Sequence, residues 1–118
     1  MFNAASLLIV EEAGSSVLIL TEGLEKEEFL RSRLTRREVC RQLSIVAKGF
    51  DGMPAQAQAA MPEIGWDGWR AAARLLATPG PELDETLWFA VQSLVPATLM
   101  WLRVYRENQP QLFSFPVP

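Results

Sequence analysis

From Leu83 onward, apolar residues return at steps of three and four: Leu83, Leu87, Val91, Leu94, Val95, Leu99 and Leu102, reaching toward Tyr105. That period belongs to one face of an α-helix, and the run is several times longer than an ordinary strand. A stripe of this length must be covered by other apolar surface, so it commits the chain to helix-on-helix packing. The helix is predicted to start around Pro81, with Asp84 and Glu85 suited to its positive end. Pro96 interrupts it, removing the hydrogen bond to the Gln92 carbonyl, and a bend is predicted there.

Other segments repeat the pattern. Thr35 and Glu38 read as a capping box opening a helix whose inner stripe is Val39, Leu43, Val46 and Phe50, stopped at Gly49, Gly52 and Pro54. Another helix is predicted from near Trp66 to Thr78, where Pro79 disfavours continuation. The run after Gly23 reads as a turn and a short helix, and the stretch from Pro54 to Met61 as one or two helical turns. The first segment is ambiguous: "LLIV" and "VLIL" around "EEAGSS" fit two strands and a turn. They equally fit one helix with Ser6, Val10, Ala13, Val17, Leu20 and Leu24 inward and Glu11, Ser15 and Glu22 outward. The helical reading strands Leu8 and Ile19 on the polar side, about three turns apart. These two residues are candidate dimer contacts.

Few strand signals and several brief loops predict an all-α fold, an antiparallel four-helix bundle with an additional short helix. Residues 1–107 form the predicted domain, and 108–118 a tail with three prolines. A chain of 118 residues buries roughly two thirds of its unfolded surface as one core. Hydrophobic residues at 49% and charged residues at 21% argue against extended disorder.

Two absences restrict the chemistry. There is no histidine, which removes the commonest acid/base group near neutral pH and the commonest metal ligand. Cys40 is the sole cysteine, which excludes an internal disulfide, fits a reducing cytoplasmic setting, and reads as a core or boundary residue. The apolar run Ala4 to Leu20 is broken by Glu11 and Glu12, so no membrane span is predicted. No lysine or arginine precedes Lys26, against a signal peptide. The net charge of −3 gives no global attraction to nucleic acid, so any anion binding must be local.

Local basic groups exist. Arg31, Arg33, Arg36, Arg37 and Arg41 cluster around Glu38, and Arg70 and Arg74 stand one turn apart. Arg36, Arg37, Arg41, Arg70 and Arg74 are the candidate anion or partner-binding residues, by guanidinium geometry; acids such as Glu27 and Glu28 could equally neutralise the first cluster. Asp67, Glu82, Asp84 and Glu85 are better explained by helix N-termini than by a metal site, and no metal or cofactor is expected. Trp66 and Trp88 are assigned to the core.

Three phrases in order, Thr21–Gly49, "MPEIGW" at Met61–Trp66 and "ETLWFAVQSLVPATL" at Glu85–Leu99, resemble the HepT-like family. These are small helical proteins encoded beside minimal nucleotidyltransferases in bacterial toxin–antitoxin pairs. The resemblance implies a helical dimer, a nucleotidyltransferase-type partner, and a motif of arginine, histidine and tyrosine. In the family the first two serve RNA cleavage and the tyrosine accepts AMP. Counting from Trp66, the motif arginine falls at Ala73, the histidine at Thr78 and the tyrosine at Gly80. A shift of one residue aligns Arg74 with the arginine, but no register supplies a histidine. The resemblance therefore implies a non-catalytic, partner-binding member. The alternatives are a ribonuclease using displaced residues such as Arg74, and an RNA-binding module without cleavage.

Overall fold

The computed structural model describes residues 3–78 and 80–113, helices joined by turns and short loops with no strand among them. Pro79 and the last five residues of the predicted tail lie outside the described residues. The elements are α1 (Asn3–Thr21), α2 (Lys26–Arg31), α3 (Arg33–Asp51), α4 (Ala55–Ala60), α5 (Trp66–Ala77) and α6 (Leu83–Phe89). A π-turn (Ala90–Leu94) leads directly into α7 (Val95–Asn108), and a 3-10 turn (Pro110–Phe113) follows.

The ambiguous first segment is a single helix, so the hairpin alternative falls. Its inner face is turned from the predicted one: Ala4, Leu7, Val10, Ala13, Gly14, Val17 and Thr21 are buried, while Leu20 is exposed and Ser6 half-exposed. Two neighbours set that face. Gly49 of α3 meets Val10 so closely that an added Cβ would stand 2.8 Å from Val10 Cγ2. On the other flank, a Cβ on Gly14 would stand 3.1 Å from Leu99 Cδ2 of α7. A glycine at each contact lets the backbones approach. Arg106 pairs with Glu11, and Val91 and Gln92 share a hollow with Leu18 and Ile19, so α7 runs antiparallel to α1.

Gly23, at φ 77°, turns the chain out of α1 in the left-handed region open to glycine. Glu25 then caps α2 in a reciprocal box with Glu28. The predicted cap of the next helix is displaced. Ser32, not Thr35, is the N-cap of α3, its Oγ accepting from the Thr35 N–H at 3.3 Å. Glu38 is thereby left to the side chains of its own helix.

The core is centred on Trp69, Phe50, Leu43, Phe29, Leu87 and Leu102, with the predicted α3 stripe Val39, Leu43, Val46 and Phe50 wholly buried. Trp66 and Trp88 only lean on this core, half-buried, while Trp69 is the tryptophan sealed inside it. Its indole N–H donates to Thr98 Oγ1 at 2.9 Å, joining α5 to α7. Two further bonds secure the loop before α5: Trp66 Nε1–H donates to the Met61 carbonyl at 2.9 Å, and the Glu63 N–H donates to the Tyr105 hydroxyl at 3.1 Å.

The long C-terminal stripe does not lie on one uniform helix. The π-turn widens the backbone just ahead of Pro96, where the ring would otherwise meet the carbonyl four residues back. It also lets neighbouring pairs, Ala90 with Val91 and Leu94 with Val95, be buried together. Ala4–Thr21 and Leu83–Asn108 are long and apolar enough to cross a membrane by length and composition alone, and here each turns one face into the shared core.

Candidate functional site

The start of helix α3 carries charge that opposes the helix dipole. Arg33, Arg36 and Arg37 occupy its first turns and no acid does, placing cations at the positive end. Arg33, Arg37 and Arg41 also follow at i, i+4 spacing, where like charges cost about 0.2–0.5 kcal/mol per pair. The dipole and the spacing within α3 give no reason to put them there.

These side chains border a furrow. One hollow of about 500 Å³ lies between the first half of α3 and α6, lined by Arg33, Arg36, Arg37, Cys40, Arg41, Ser44, Leu83, Asp84 and Leu87. A second, of about 520 Å³, lies between the rest of α3 and α5, lined by Ser44, Ala47, Lys48, Asp51, Arg70, Ala73, Arg74, Leu76 and Ala77. They meet at Ser44. Seven cationic side chains face two carboxylates along their joint length, which makes the furrow positive on a chain of net charge −3.

The five arginines singled out from sequence as two separate sets, Arg36, Arg37 and Arg41 on one helix and Arg70 and Arg74 on another, are thus brought to one furrow. Arg33 and Lys48 join them and were not singled out as binding residues. Their signal was present: positions 33, 37, 41, 44 and 48 recur with the helical period on one face. Arg31 lines neither hollow.

Part of this charge is already matched. Arg36 reaches Asp84 at 3.3 Å, Arg70 pairs with Asp67, and Arg41 forms a two-pronged pair with Glu38 at 3.0 and 2.5 Å. The Arg41 bonds, then one from Gln42, pull the Glu38 carboxyl from 4.5 down to about 2 and raise Arg41 in turn. Arg33, Arg37, Lys48 and Arg74 make no ion pair among the described residues. Neither Glu27 nor Glu28 pairs with the α3 arginines among the described residues. Cys40 sits half-buried in the furrow, and burial pushes its thiol up, which keeps it protonated and a poor nucleophile at neutral pH.

Of the three motif positions, only the first lines this furrow. Ala73 lines the second hollow. Thr78 is the C-cap of α5, its N–H donating to the Leu75 carbonyl at 3.3 Å, and its side chain is exposed. Gly80 is exposed, its carbonyl accepting from the Leu83 N–H at 3.1 Å. None of the three supplies a group that transfers a proton near neutral pH. The acids near this corner are engaged elsewhere: Asp67 with Arg70, Asp84 with Arg36, and Glu85 with Lys26 at 2.7 Å. Among the described residues, no three histidine, cysteine or acidic side chains gather to hold a metal ion.

On the opposite side of the molecule, Leu8 and Ile19 are 44% and 73% exposed, and Met100 of the neighbouring α7 is 46% exposed. Between α1 and α7 runs a shallow hollow lined by Glu11, Ser15, Leu18, Pro96, Leu99, Met100, Arg103 and Arg106. Ile19 borders a second shallow hollow with Leu18, Thr21, Glu22, Val91 and Gln92.

Comparison of the chain with protein-family models, with curated proteins and with solved structures yields no match.

Proposed function

We propose that this chain is a non-catalytic, HepT-like helical protein that works by binding a partner. In this reading α1, α3, α5 and the α6–α7 helix are the long members of a four-helix bundle, and the protein acts in the cytoplasm as a homodimer beside a nucleotidyltransferase-type partner. The observation that carries it is the composition of the α5–α6 corner. Ala73, which lines the furrow beside the unpaired Arg74, and the exposed Thr78 and Gly80 stand where the resemblance calls for arginine, histidine and tyrosine.

Loss of a general acid or base alone forfeits about 10²–10⁴ in rate. The sole tyrosine cannot substitute as an AMP acceptor, because the Tyr105 side chain is buried and its hydroxyl holds the Glu63 N–H. The exposed Leu8 and Ile19 on α1 and the exposed Met100 on α7 support pairing of two copies, by the two-fold symmetry usual for soluble dimers.

The test is purified protein incubated with unstructured RNA, and separately with a family nucleotidyltransferase and ATP followed by intact mass, with light scattering for the assembly state. Intact RNA, an unchanged mass and a dimer are expected. RNA cleavage abolished by Arg74→Ala would establish a ribonuclease using displaced residues, and AMP mapped to Thr78 would restore the family's modification. A monomer, or an Ile19→Asp variant that remains dimeric, removes the assigned interface.

A further inference from the structure

We infer that the furrow between α3 and the α5–α6 wall seats an acidic amphipathic helix of a protein partner. The inference rests on the partner-binding reading above and names the chemistry of that partner.

The floor and the rim of the furrow differ in kind. Cys40, Ala47, Ala73, Leu76 and Leu87 give it an apolar floor, while the guanidinium and ammonium groups stand along its edges. An apolar floor beside the cationic edge of α3 complements a helix with an apolar stripe and carboxylates on the flank toward α3. Length agrees as well. From Arg33 to Lys48, α3 extends about 22 Å, the length of a helical segment of about 15 residues.

Charge complementarity sets the sign of the occupant. Arg33 and Arg37 on the α3 edge, Lys48 farther along it, and Arg74 on the α5 edge have no ion pair among the described residues, so carboxylates arriving along α3, and along α5 in the second hollow, would each find a cation. Arginine suits such contacts through its two-pronged geometry. The same arrangement fits single-stranded RNA poorly. Among the described residues no aromatic side chain lines either hollow, so bases would lack the aromatic platform on which single strands usually stack.

Fluorescence anisotropy of three labelled probes on the full chain tests this. They are a synthetic helical peptide of about 15 residues with leucines on one face and glutamates on the flanks, its twin with lysine for every glutamate, and an oligouridine. The glutamate peptide is expected to bind about tenfold or more tighter than the lysine twin, with affinity falling as salt rises. Arg37→Glu/Arg74→Glu, a pair whose side chains hold no ion pair in the fold, should weaken the glutamate peptide about tenfold and strengthen the lysine one. Circular dichroism of that variant should match the parent. Equal binding of the two peptides, no binding of either, tighter binding of oligouridine, or an unchanged affinity in the double variant would overturn the inference. Failure of the underlying reading looks different: it appears as cleavage of the oligouridine by the parent chain. Oligouridine left intact beside a glutamate peptide that does not bind removes the acidic helix and leaves the non-catalytic reading standing.

Discussion

Replacing Thr98 by valine removes one oxygen from the centre of the molecule and strands one proton. Thr98 and Trp69 are 3% and 2% exposed, so water cannot replace the lost acceptor of the indole N–H. Valine keeps the shape and loses the hydroxyl, which isolates the hydrogen bond from packing. A buried donor left without a partner costs about 1–3 kcal/mol, a substantial share of the roughly 5–15 kcal/mol that holds a domain folded. Each kcal/mol lowers the melting temperature of a domain this size by roughly 3–6 °C. Urea unfolding followed by far-ultraviolet circular dichroism gives the free energy directly, and Thr98→Ser, which keeps the acceptor, should recover much of the loss. A double-mutant cycle with Trp69→Phe isolates the pair from the cavity that the smaller ring leaves beside Phe50, and should return a coupling of about 0.5–3 kcal/mol. A Thr98→Val variant as stable as the parent, or a coupling of zero, refutes the claim that this bond joins α5 to α7.

Acid should expose the pairing on α3. The Glu38 carboxyl is depressed from 4.5 to about 2 in the fold, so its contribution is complete above about 4.5 and disappears as pH falls through about 2. Across that window, urea unfolding of the parent should lose stability more steeply than that of Glu38→Gln; parallel curves would contradict the assignment. Gly49→Ala should lower the melting temperature, because a Cβ 2.8 Å from the sealed, β-branched Val10 costs about 1–3 kcal/mol of overpacking against about 1 kcal/mol of helix propensity gained. Combining it with Val10→Ala should cost less than the two single losses added, as thermal unfolding of the four proteins would show.

How much was readable beforehand depended on contrast along each helix. The α3 stripe was legible because Val39, Leu43, Val46 and Phe50 are separated by charged and polar residues that fix its phase. In α1 nearly every residue is apolar or small, so the period carries little phase, and the inner face was decided by where α3 and α7 lie. Trp69 was passed over for the same reason in reverse: Asp67 and Arg70 beside it resemble a surface, yet pair with each other outside while the indole turns in. Pro96 announced a departure from helix geometry but not a π-turn, which depends on the packing of Ala90, Val91, Leu94 and Val95. The furrow is a tertiary fact. Both arginine sets were visible, but only the placement of α5 and α6 beside α3 makes them one surface.

The enclosure of α1 governs the order in which the chain can fold as it is made. Its first partner, α3, follows closely in sequence, so a helical hairpin between them can form while the remainder is still being synthesised. On its second flank Gly14 stays bare until Leu99 arrives, after Val91 and Gln92 have reached the Leu18–Ile19 end, and the seal is completed only when Arg106 reaches Glu11 while stacking on Phe113, 4.4 Å from the ring centre. A chain halted before Leu99 therefore carries an apolar helix still bare around Gly14, the kind of surface that chaperones hold and that aggregates without them. The same geometry makes α1 the element whose amides should open only when the whole domain does, since releasing it means undoing contacts made at both the earliest and the latest stages of synthesis.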